Sequence, residues 1–251
     1  GFPTSAVIDY VNIDTTGDAV TFGNLSRGLY LVQATASRTR GVFHGAHQSP
    51  DPTKNTTLEF VTISSIGDTT TFGSLQTSAI GYGAVGSGVR GIYSLANTQP
   101  TIVNTLEYIT IASLGNAKDF GDLSVTRYAT KANVASPVRG IWAGGVVAPS
   151  GVDVIDFVTI STTGNAADFG NLTTASREGT GCSNAVRGFF FSGSGGTDNQ
   201  IEYVTIATLG NAIDFGDLTY GAEAAGGGAS PTRAISAGGT DSGGKNIIDY
   251  W

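Results

Sequence analysis

The strongest constraint on the fold of this chain is an internal repeat with a period of about 48 residues. Three kinds of landmark recur with this one period: a phenylalanine followed by glycine, an acid followed by an aromatic residue, and an arginine usually followed by glycine. Because chance does not give three independent series the same period, the chain consists of five tandem units. The phenylalanines that mark the units are Phe22, Phe72, Phe120, Phe169 and Phe215.

Each unit is predicted to contain four short strands, which we name A to D in chain order. Strand C is the clearest, because residues 106–111 are β-branched and aromatic, with apolar side chains on both faces. Strand A is rich in Gly, Ala and Ser, as in 78–87 and 221–230. Strand B starts at the repeated arginine, and strand D holds the Phe-Gly pair. No segment has a sustained helical period, so we expect no helices.

Five copies of a four-stranded sheet, each covered on both faces, are typical of a β-propeller. The small residues of strand A fit the crowded centre of such a ring. The main alternative is a β-solenoid, but the regular tight turns favour the propeller. We therefore expect residues 1–251 to form one repeat domain, a five-bladed β-propeller of four-stranded antiparallel blades.

One strand type is present in an extra copy. A C-type strand starts near Ile8 and another lies at 247–251, so the chain has six copies of strand C and five of each other strand. Either one copy has a different role, or the chain is a segment of a longer array.

Nearly all of the length variation lies in one part of the repeat. The spacing from the acid–aromatic pair to Phe-Gly is constant, whereas the B–C connection changes in length from unit to unit. In an A-B-C-D meander the B–C and D–A connections lie on one face, which we call the loop face. Variable loops on a rigid scaffold are where binding usually resides. The B–C connections are 46–56, 96–104, 146–153, 193–199 and 240–246.

Polar and charged residues in and beside these connections are the candidate binding residues. His44 and His47, the only histidines, stand three residues apart and could ligate a metal, with ordinary surface histidines as the alternative. No Ser–His–Asp or paired-carboxylate arrangement has a convincing spacing, so no catalytic residue is predicted. The candidates are His44, His47, Asp51, Lys54, Asn97, Asp153, Asp198, Asp241 and Lys245.

The Gly-Asn turn between strands C and D raises the question of a metal ion. Asn116, Asp119 and Asp122 offer the oxygen atoms that calcium prefers. Asn and Asp are also ordinary turn residues, because their side chains bond nearby backbone groups. We therefore expect no metal and no cofactor, with calcium as the minor alternative.

The repeated arginines and acids are predicted to pair with one another as a structural ladder. The acid shares its strand face with two aliphatic residues, as Glu107 does with Ile109 and Ile111, so it is expected to be partly buried and to need a partner. An arginine ring that captures anionic ligands is the functional alternative. The residues are Arg40, Arg90, Arg139, Arg187, Arg233, Asp9, Glu59, Glu107, Asp156, Glu202 and Asp249.

Composition argues against several classes of partner. The net charge is −7 and there is no basic stripe, which argues against nucleic acid and anionic membrane surfaces. No apolar run is long enough for insertion into a membrane. The single cysteine, Cys182, is predicted to be a small buried residue. Only 13% of residues are charged, a composition common among extracellular and virion β-proteins.

Two features resemble known repeat families. A double glycine after strand B, at 144–145 and 238–239, followed by an aromatic strand C resembles the kelch motif, although the first two units lack it. The whole unit more closely resembles the repeats of tail-fibre and other virion proteins of marine phages, including cyanophages. In the last unit that pattern reads Tyr203-Val204-Thr205-Ile206, Gly210-Asn211-Ala212, Asp214-Phe215-Gly216-Asp217-Leu218 and Arg233.

The resemblance implies a kelch-like propeller in a virion or other extracellular setting. The expected function is non-catalytic: a receptor-binding or structural module of a phage tail fibre. Its partner would be a host surface glycan or a neighbouring virion protein, and it could form a homo-oligomer. The alternatives are a cellular, lectin-like adhesion propeller and, less favoured, an enzyme on a propeller scaffold.

Overall fold

The computed structural model describes residues 5–12, 15, 18–47, 55–98, 101–194, 199–221, 223–240 and 243–251. The described residues form 22 strands and no helix. The fold is all-β, a five-bladed β-propeller, so the expected fold class is confirmed. The chain divides into two compact units, 1–84 with 88–120 and 85–87 with 121–251. The single domain expected from the sequence therefore stays a prediction.

The first two sheets are antiparallel meanders whose strands neighbour one another in chain order. The first sheet contains β1 (Ser5–Tyr10), β2 (Val20–Ala36), β3 (Arg40–His47), β4 (Thr57–Thr62) and β5 (Thr70–Ser74). The second contains β6 (Ile80–Gly86), β7 (Arg90–Asn97), β8 (Thr105–Thr110) and β9 (Lys118–Asp122). Strand β2 is long because its first part is a D strand paired with β1 and its second part an A strand paired with β3.

The other three sheets repeat the same plan. The third contains β10 (Ala132–Ala135), β11 (Arg139–Ala143), β14 (Val154–Thr159) and β15 (Ala167–Asn171), and the small hairpin β12 (Val146–Val147) and β13 (Ser150–Gly151) lies between β11 and β14 in sequence. The fourth contains β16 (Thr180–Ser183), β17 (Arg187–Phe191), β18 (Gln200–Thr205) and β19 (Ile213–Asp217). The fifth contains β20 (Gly226–Ala229), β21 (Ala234–Ala237) and β22 (Ile248–Tyr250).

The predicted A-B-C-D order is therefore confirmed in four sheets, whereas the described residues of the fifth sheet supply strands A, B and C. The described part of the chain has six C strands: β1, β4, β8, β14, β18 and β22. Apolar residues on both faces of these strands are explained by the cores, which lie between neighbouring sheets. In the first compact unit one core includes Leu58, Phe72 and Ile109. In the second unit its counterpart includes Ile155 and Phe169.

The glycine of the Phe-Gly pair is needed for close packing between sheets. A methyl group at Gly73 would lie 2.1 Å from the carbonyl oxygen of Gly115, in the C–D turn of the next sheet. That turn is held by Asn116, whose Oδ1 accepts a hydrogen bond of 3.1 Å from the amide of Ser74. Each Gly-Asn turn therefore packs against the D strand that precedes it, and a side chain at Gly73 would separate the two.

Candidate functional site

In the second compact unit, the connection that follows strand B lies beside the connection that leads into strand A of the same sheet. The backbones of the two connections pair at one residue each in all three sheets of that unit. These contacts confirm that B–C and D–A connections share the loop face. The pairs are Tyr128 with Val146, Arg177 with Ser194, and Glu223 with Thr240.

The B–C connection of the third sheet is a hairpin with a fixed base. Gly144 and Gly145 have φ values of 64° and 118°, in the left-handed region that favours glycine. A methyl group at Gly144 would lie 2.3 Å from the carbonyl oxygen of Ser176, and the amide of Gly145 donates to that same oxygen at 2.9 Å. The double glycine lets the base of the loop lie against the neighbouring D–A connection, while residues 147–150 are exposed.

Two buried ion pairs lie beneath this hairpin. Nη1 of Arg127 is 3.0 Å from Oδ2 of Asp156, and Nζ of Lys131 is 2.7 Å from Oε1 of Glu202; neither side chain of either pair is more than 2% exposed. Arg127 also donates from Nη2 to the carbonyl of Trp142. Burial lowers the pKa of Arg127, and the charge of Asp156 opposes that shift.

These pairs anchor the start of strand A under the loop face. A methyl group on Gly145 would lie 3.3 Å from Cδ of Arg127, and one on Gly144 would lie 2.9 Å from Cβ of Lys131. Neither Arg127 nor Lys131 is among the candidate residues expected from the sequence. Both depart from the repeat, which has Leu29 and Gln33 at the same positions of the first unit, and that departure was the available signal.

The repeated acids hold neighbouring sheets together through hydroxyl and amide donors. Glu202 accepts from the amide of Thr173 at 2.7 Å and from its hydroxyl at 2.8 Å; Thr173 follows the D strand of the preceding sheet. Glu107 accepts instead from the amides of Gln76 and Thr77, at 2.7 and 2.8 Å. Three other acids of this series accept hydrogen bonds from the serine or threonine four residues after the Phe-Gly phenylalanine: Glu59 from Ser26, Asp156 from Ser124, and Asp249 from Thr219.

The hydrogen bonds also set the protonation of a buried acid. Burial alone would raise the pKa of Glu59, but hydrogen bonds from Ser26 and Thr69 hold it below its usual value. Glu59 is 4% exposed. The prediction that the acid is buried and partnered is therefore right for this residue, although its partners are neutral donors in the same compact unit.

The predicted arginine–acid pairing is wrong in its partners. In the described residues Asp156 pairs with Arg127, not with the repeated Arg139. Arg139 lies opposite Thr159 and Asp156 lies opposite Trp142, three positions along the ladder. Because side chains alternate between faces, this register puts the arginine and the acid on opposite faces of the sheet.

The repeated arginine stacks on the aromatic residue that follows the acid. Cζ of Arg139 is 4.8 Å from the centre of the Phe157 ring, and Nη1 donates to the carbonyl of Ile206 at 2.9 Å. Arg40 does the same in the first unit with Phe60 and the carbonyl of Ile111. The other stacked pairs are Arg90 with Tyr108, Arg187 with Tyr203, and Arg233 with Tyr250.

His44 is fully buried in the structure, which differs from the surface position expected for it. Its Nε2 lies 2.9 Å from the carbonyl oxygen of Asn55 and its Nδ1 lies 3.4 Å from Nε2 of Gln33. Burial lowers its pKa to about 4, and the contact with Asn55 works against that shift. The ring also packs edge-on against Tyr93 at 6.2 Å. Because burial disfavours the charged form, the imidazole of His44 is neutral near pH 7.

The other candidate binding residues fall into two groups. Asn97 lies at the end of β7, Asp153 just before β14 and Lys245 in the last B–C connection, and all three are half-buried. His47 lies at the end of β3, and the structure describes its backbone only. Their binding roles stay predictions. Four further candidates lie outside the described residues: Asp51, Lys54, Asp198 and Asp241.

The oxygen atoms considered for calcium are partly committed to the fold. Oδ1 of Asn116 accepts a hydrogen bond from the amide of Ser74, and Oδ1 of its counterpart Asn165 accepts one from the amide of Asp122. No group of three or more His, Cys, Asp or Glu in the described part of the chain could hold a metal ion.

Burial raises the pKa of the Cys182 thiol to about 12.

No protein-family model matches the sequence, and no curated protein is significantly similar to it. Across the residues that the structure describes, there is no helix of the length and apolarity needed to cross a membrane. The function must therefore be inferred from the fold, its loops and its buried groups.

Proposed function

We propose that this protein is a non-catalytic binding module that presents its loop face to a ligand. The observation that carries the proposal is the contrast between the two ends of each sheet. The C–D turns have one length and pack on the preceding D strand, whereas the B–C connections differ in length and sequence. A scaffold that varies only in one set of neighbouring loops is suited to recognition.

The ligand class we propose is a host surface glycan, with the module forming part of a phage tail fibre. The low content of charged residues and the many Ser, Thr, Asn and Gly favour a polar neutral ligand over a nucleic acid or an anionic surface. The tail-fibre setting rests on the resemblance of the repeat to those of marine phage virion proteins. A neighbouring virion protein is the second partner class that this setting offers.

The side chains that most often act in catalysis are buried or bonded within the fold in this protein, and this supports a function without catalysis. His44 is enclosed by core residues, Cys182 is buried, and the repeated acids bond hydroxyl and amide donors. A nucleophile, a base and an orienting group do not converge on any described cleft. Reproducible turnover of a polysaccharide that disappears when one side chain is replaced would contradict this part of the proposal.

A glycan array tests the binding role. The wild-type protein should bind a limited set of host glycans, and replacing residues 147–150 by a Gly-Ser linker should change that set without lowering the melting temperature by more than a few degrees. The matched control replaces Thr162 and Thr163, which are exposed in a C–D turn, by alanine. Binding that survives the loop exchange but is lost in the turn variant would overturn the assignment to the loop face.

A further inference from the structure

Two strands of this chain have nearly the same sequence and the same place in the repeat. Strand β1 contains Val-Ile-Asp-Tyr at 7–10, and Ile-Ile-Asp-Tyr stands at 247–250 around β22. Both are C strands, which elsewhere pair with a B strand on one edge and a D strand on the other. Strand β22 pairs with the B strand β21, and in the described part of the chain no strand pairs with its other edge.

The strand that is missing beside β22 is a D strand. Strand β1 is paired with such a D strand, the first part of β2. In the pairing of β1 with β2, Asp9 lies opposite Thr21 and Ile8 lies opposite Gly23. The same register joins β4 and β5, where Glu59 lies opposite Thr71 and Leu58 opposite Gly73. The first part of β2 therefore accepts any C strand of this sequence type, and β22 carries the matching residues.

Strand β1 has few contacts besides this pairing. Val7 and Val11 are each 53% exposed, whereas Val61, at the position of Val11 in the next unit, is 7% exposed. Asp9 is exposed as well, unlike the buried acids of the four following C strands. One stacking contact, between Tyr10 and Phe22, supports it on the face of the D strand.

Strand β22 is better anchored in its own sheet. Asp249 accepts hydrogen bonds of 2.7 and 2.8 Å from the amide and hydroxyl of Thr219. The guanidinium of Arg233 lies over Tyr250, and Trp251 packs edge-on against Phe191 at 4.8 Å. The strand is thus held on one edge and one side, while Ile248 and Tyr250 remain 64% and 71% exposed.

The surface beside β22 has the residues that pack between neighbouring sheets elsewhere in the chain, but here they are exposed. Phe215 is 45% exposed, whereas Phe120 and Phe169 at the same position are each 2% exposed. Among the described residues no atom lies within 4 Å of a methyl group placed on Gly216, although a C–D turn lies against its counterpart Gly170. A cleft of about 190 Å³, lined by residues that include Arg187, Phe189, Pro231 and Trp251, opens beside it. An added D strand with its preceding turn would continue the established interface.

We propose that β22 of a second copy of this chain displaces β1 and pairs with the first part of β2, so that copies associate by strand exchange. The exchange completes an A-B-C-D sheet from two chains and replaces the weakly held β1 by an anchored strand. Exposed strand edges are known templates for such pairing. Because the two surfaces differ, the contact is head-to-tail and gives either a closed ring of copies or a fibre.

Mixing two variants that each add one cysteine to the chain tests the proposed pairing directly. By the register above, Tyr250→Cys of one copy should face Val20→Cys of another, and opposite residues in a ladder are close enough for a disulfide. Oxidation of the mixture should give a disulfide-linked heterodimer on a non-reducing gel. The buried thiol of Cys182 should not compete. The control mixture pairs Tyr250→Cys with Val138→Cys, an exposed position in the turn before β11.

A heterodimer no more abundant than in the control would overturn the proposal. So would a disulfide that forms only when both cysteines are placed in one chain, at the mass of a monomer. If the copies associate through the loop face instead, the mixed variants should not form the disulfide, and this result would also contradict the proposal. Each of these outcomes is read without knowledge of a glycan ligand, so failure here is separate from failure of the proposed binding function.

Matched substitutions in the two competing strands sharpen the test, because the proposal gives them opposite signs. Ile8→Asp weakens β1 and should raise the equilibrium constant for association, measured by analytical ultracentrifugation, about fivefold, the factor that corresponds to about 1 kcal/mol. Ile248→Asp weakens β22 and should abolish association. Circular dichroism checks that each variant keeps its strand content. Equal effects of the two changes would contradict competition between the strands.

Discussion

Gln33 and Lys131 occupy the same position of the repeat, eleven residues after Phe22 and Phe120 respectively. Gln33 belongs to the first compact unit and Lys131 to the second. Gln33 contacts His44 and accepts a hydrogen bond of 2.8 Å from the amide of Gly83, so a neutral side chain links two neighbouring sheets. Lys131 makes the same kind of link through an ion pair with Glu202. One position in the repeat thus supports two chemistries, because both satisfy the polar groups that are buried there.

The repeat therefore requires that the polar group buried at this position has a partner, but it does not determine which residue is that partner. A neutral network loses about 1–3 kcal/mol when one member is removed, because the group left behind is unsatisfied but carries no charge. A buried ion pair behaves differently, because removal of one member leaves an uncompensated charge. The two units should therefore differ in how they respond to single substitutions, to acid and to removal of one donor.

The largest effect is expected from breaking a buried ion pair in the second unit. Asp156→Ala leaves the guanidinium of Arg127 fully buried without its counter-charge, and should lower the free energy of unfolding by about 3–5 kcal/mol. Urea denaturation followed by tryptophan fluorescence measures the loss. The double variant Arg127→Met with Asp156→Leu should recover most of it, since it removes both charges. A single variant as stable as the wild type would show that the pair is not the dominant contact.

Acid should act on the first unit between pH 6.5 and 4. The pKa of His44 falls from 6.5 to about 4 on folding, so the unfolded chain binds a proton in this range that the native state excludes. Stability is therefore full above pH 6.5 and declines as the pH falls towards 4, by up to about 3 kcal/mol. Unfolding measured at several pH values should show the decline, and His44→Gln should remove it. The control His47→Gln should keep it, and an unchanged profile in His44→Gln would contradict the assignment.

A smaller loss is expected from the acid of the first unit that bonds two backbone amides. Glu107→Ala removes acceptors from Gln76 and Thr77 but leaves no charge buried, so the loss should be about 1–3 kcal/mol. Measured beside Asp156→Ala under the same conditions, it separates the effect of an unpaired charge from that of unpaired amides. A loss at Glu107 equal to or larger than that at Asp156 would reverse the comparison between the units.

How far the sequence predicts this molecule depends on which features the repeat determines. The period and the apolar strands predict the number of strands, their order and the face that carries the variable loops. The partner of Arg139 could not be predicted, because the length of the B–C connection does not reveal the register: the repeated arginine lies opposite the equivalent threonine of strand C in four sheets, whatever the length of the connection. His44 could have been placed inside, since other units have Ala143 and Phe191 at the same position of strand B.

The smallest expected difference is between two arginines at the same position of the repeat, of which one is half-buried and the other exposed. Arg139 and Arg187 stack on aromatic rings at 4.8 and 4.7 Å, but Arg139 is half-buried and donates to the carbonyl of Ile206, whereas Arg187 is exposed. Stacking contributes about 0.5–1 kcal/mol at exposed sites, and a hydrogen bond from a charged donor about 1.5–3 kcal/mol. Arg139→Ala should therefore destabilise more than Arg187→Ala by about 1–2 kcal/mol. Arg139→Lys is the matched control, because it keeps the charge and loses the planar contact with Phe157. Equal losses at the two positions would show that the carbonyl bond contributes nothing.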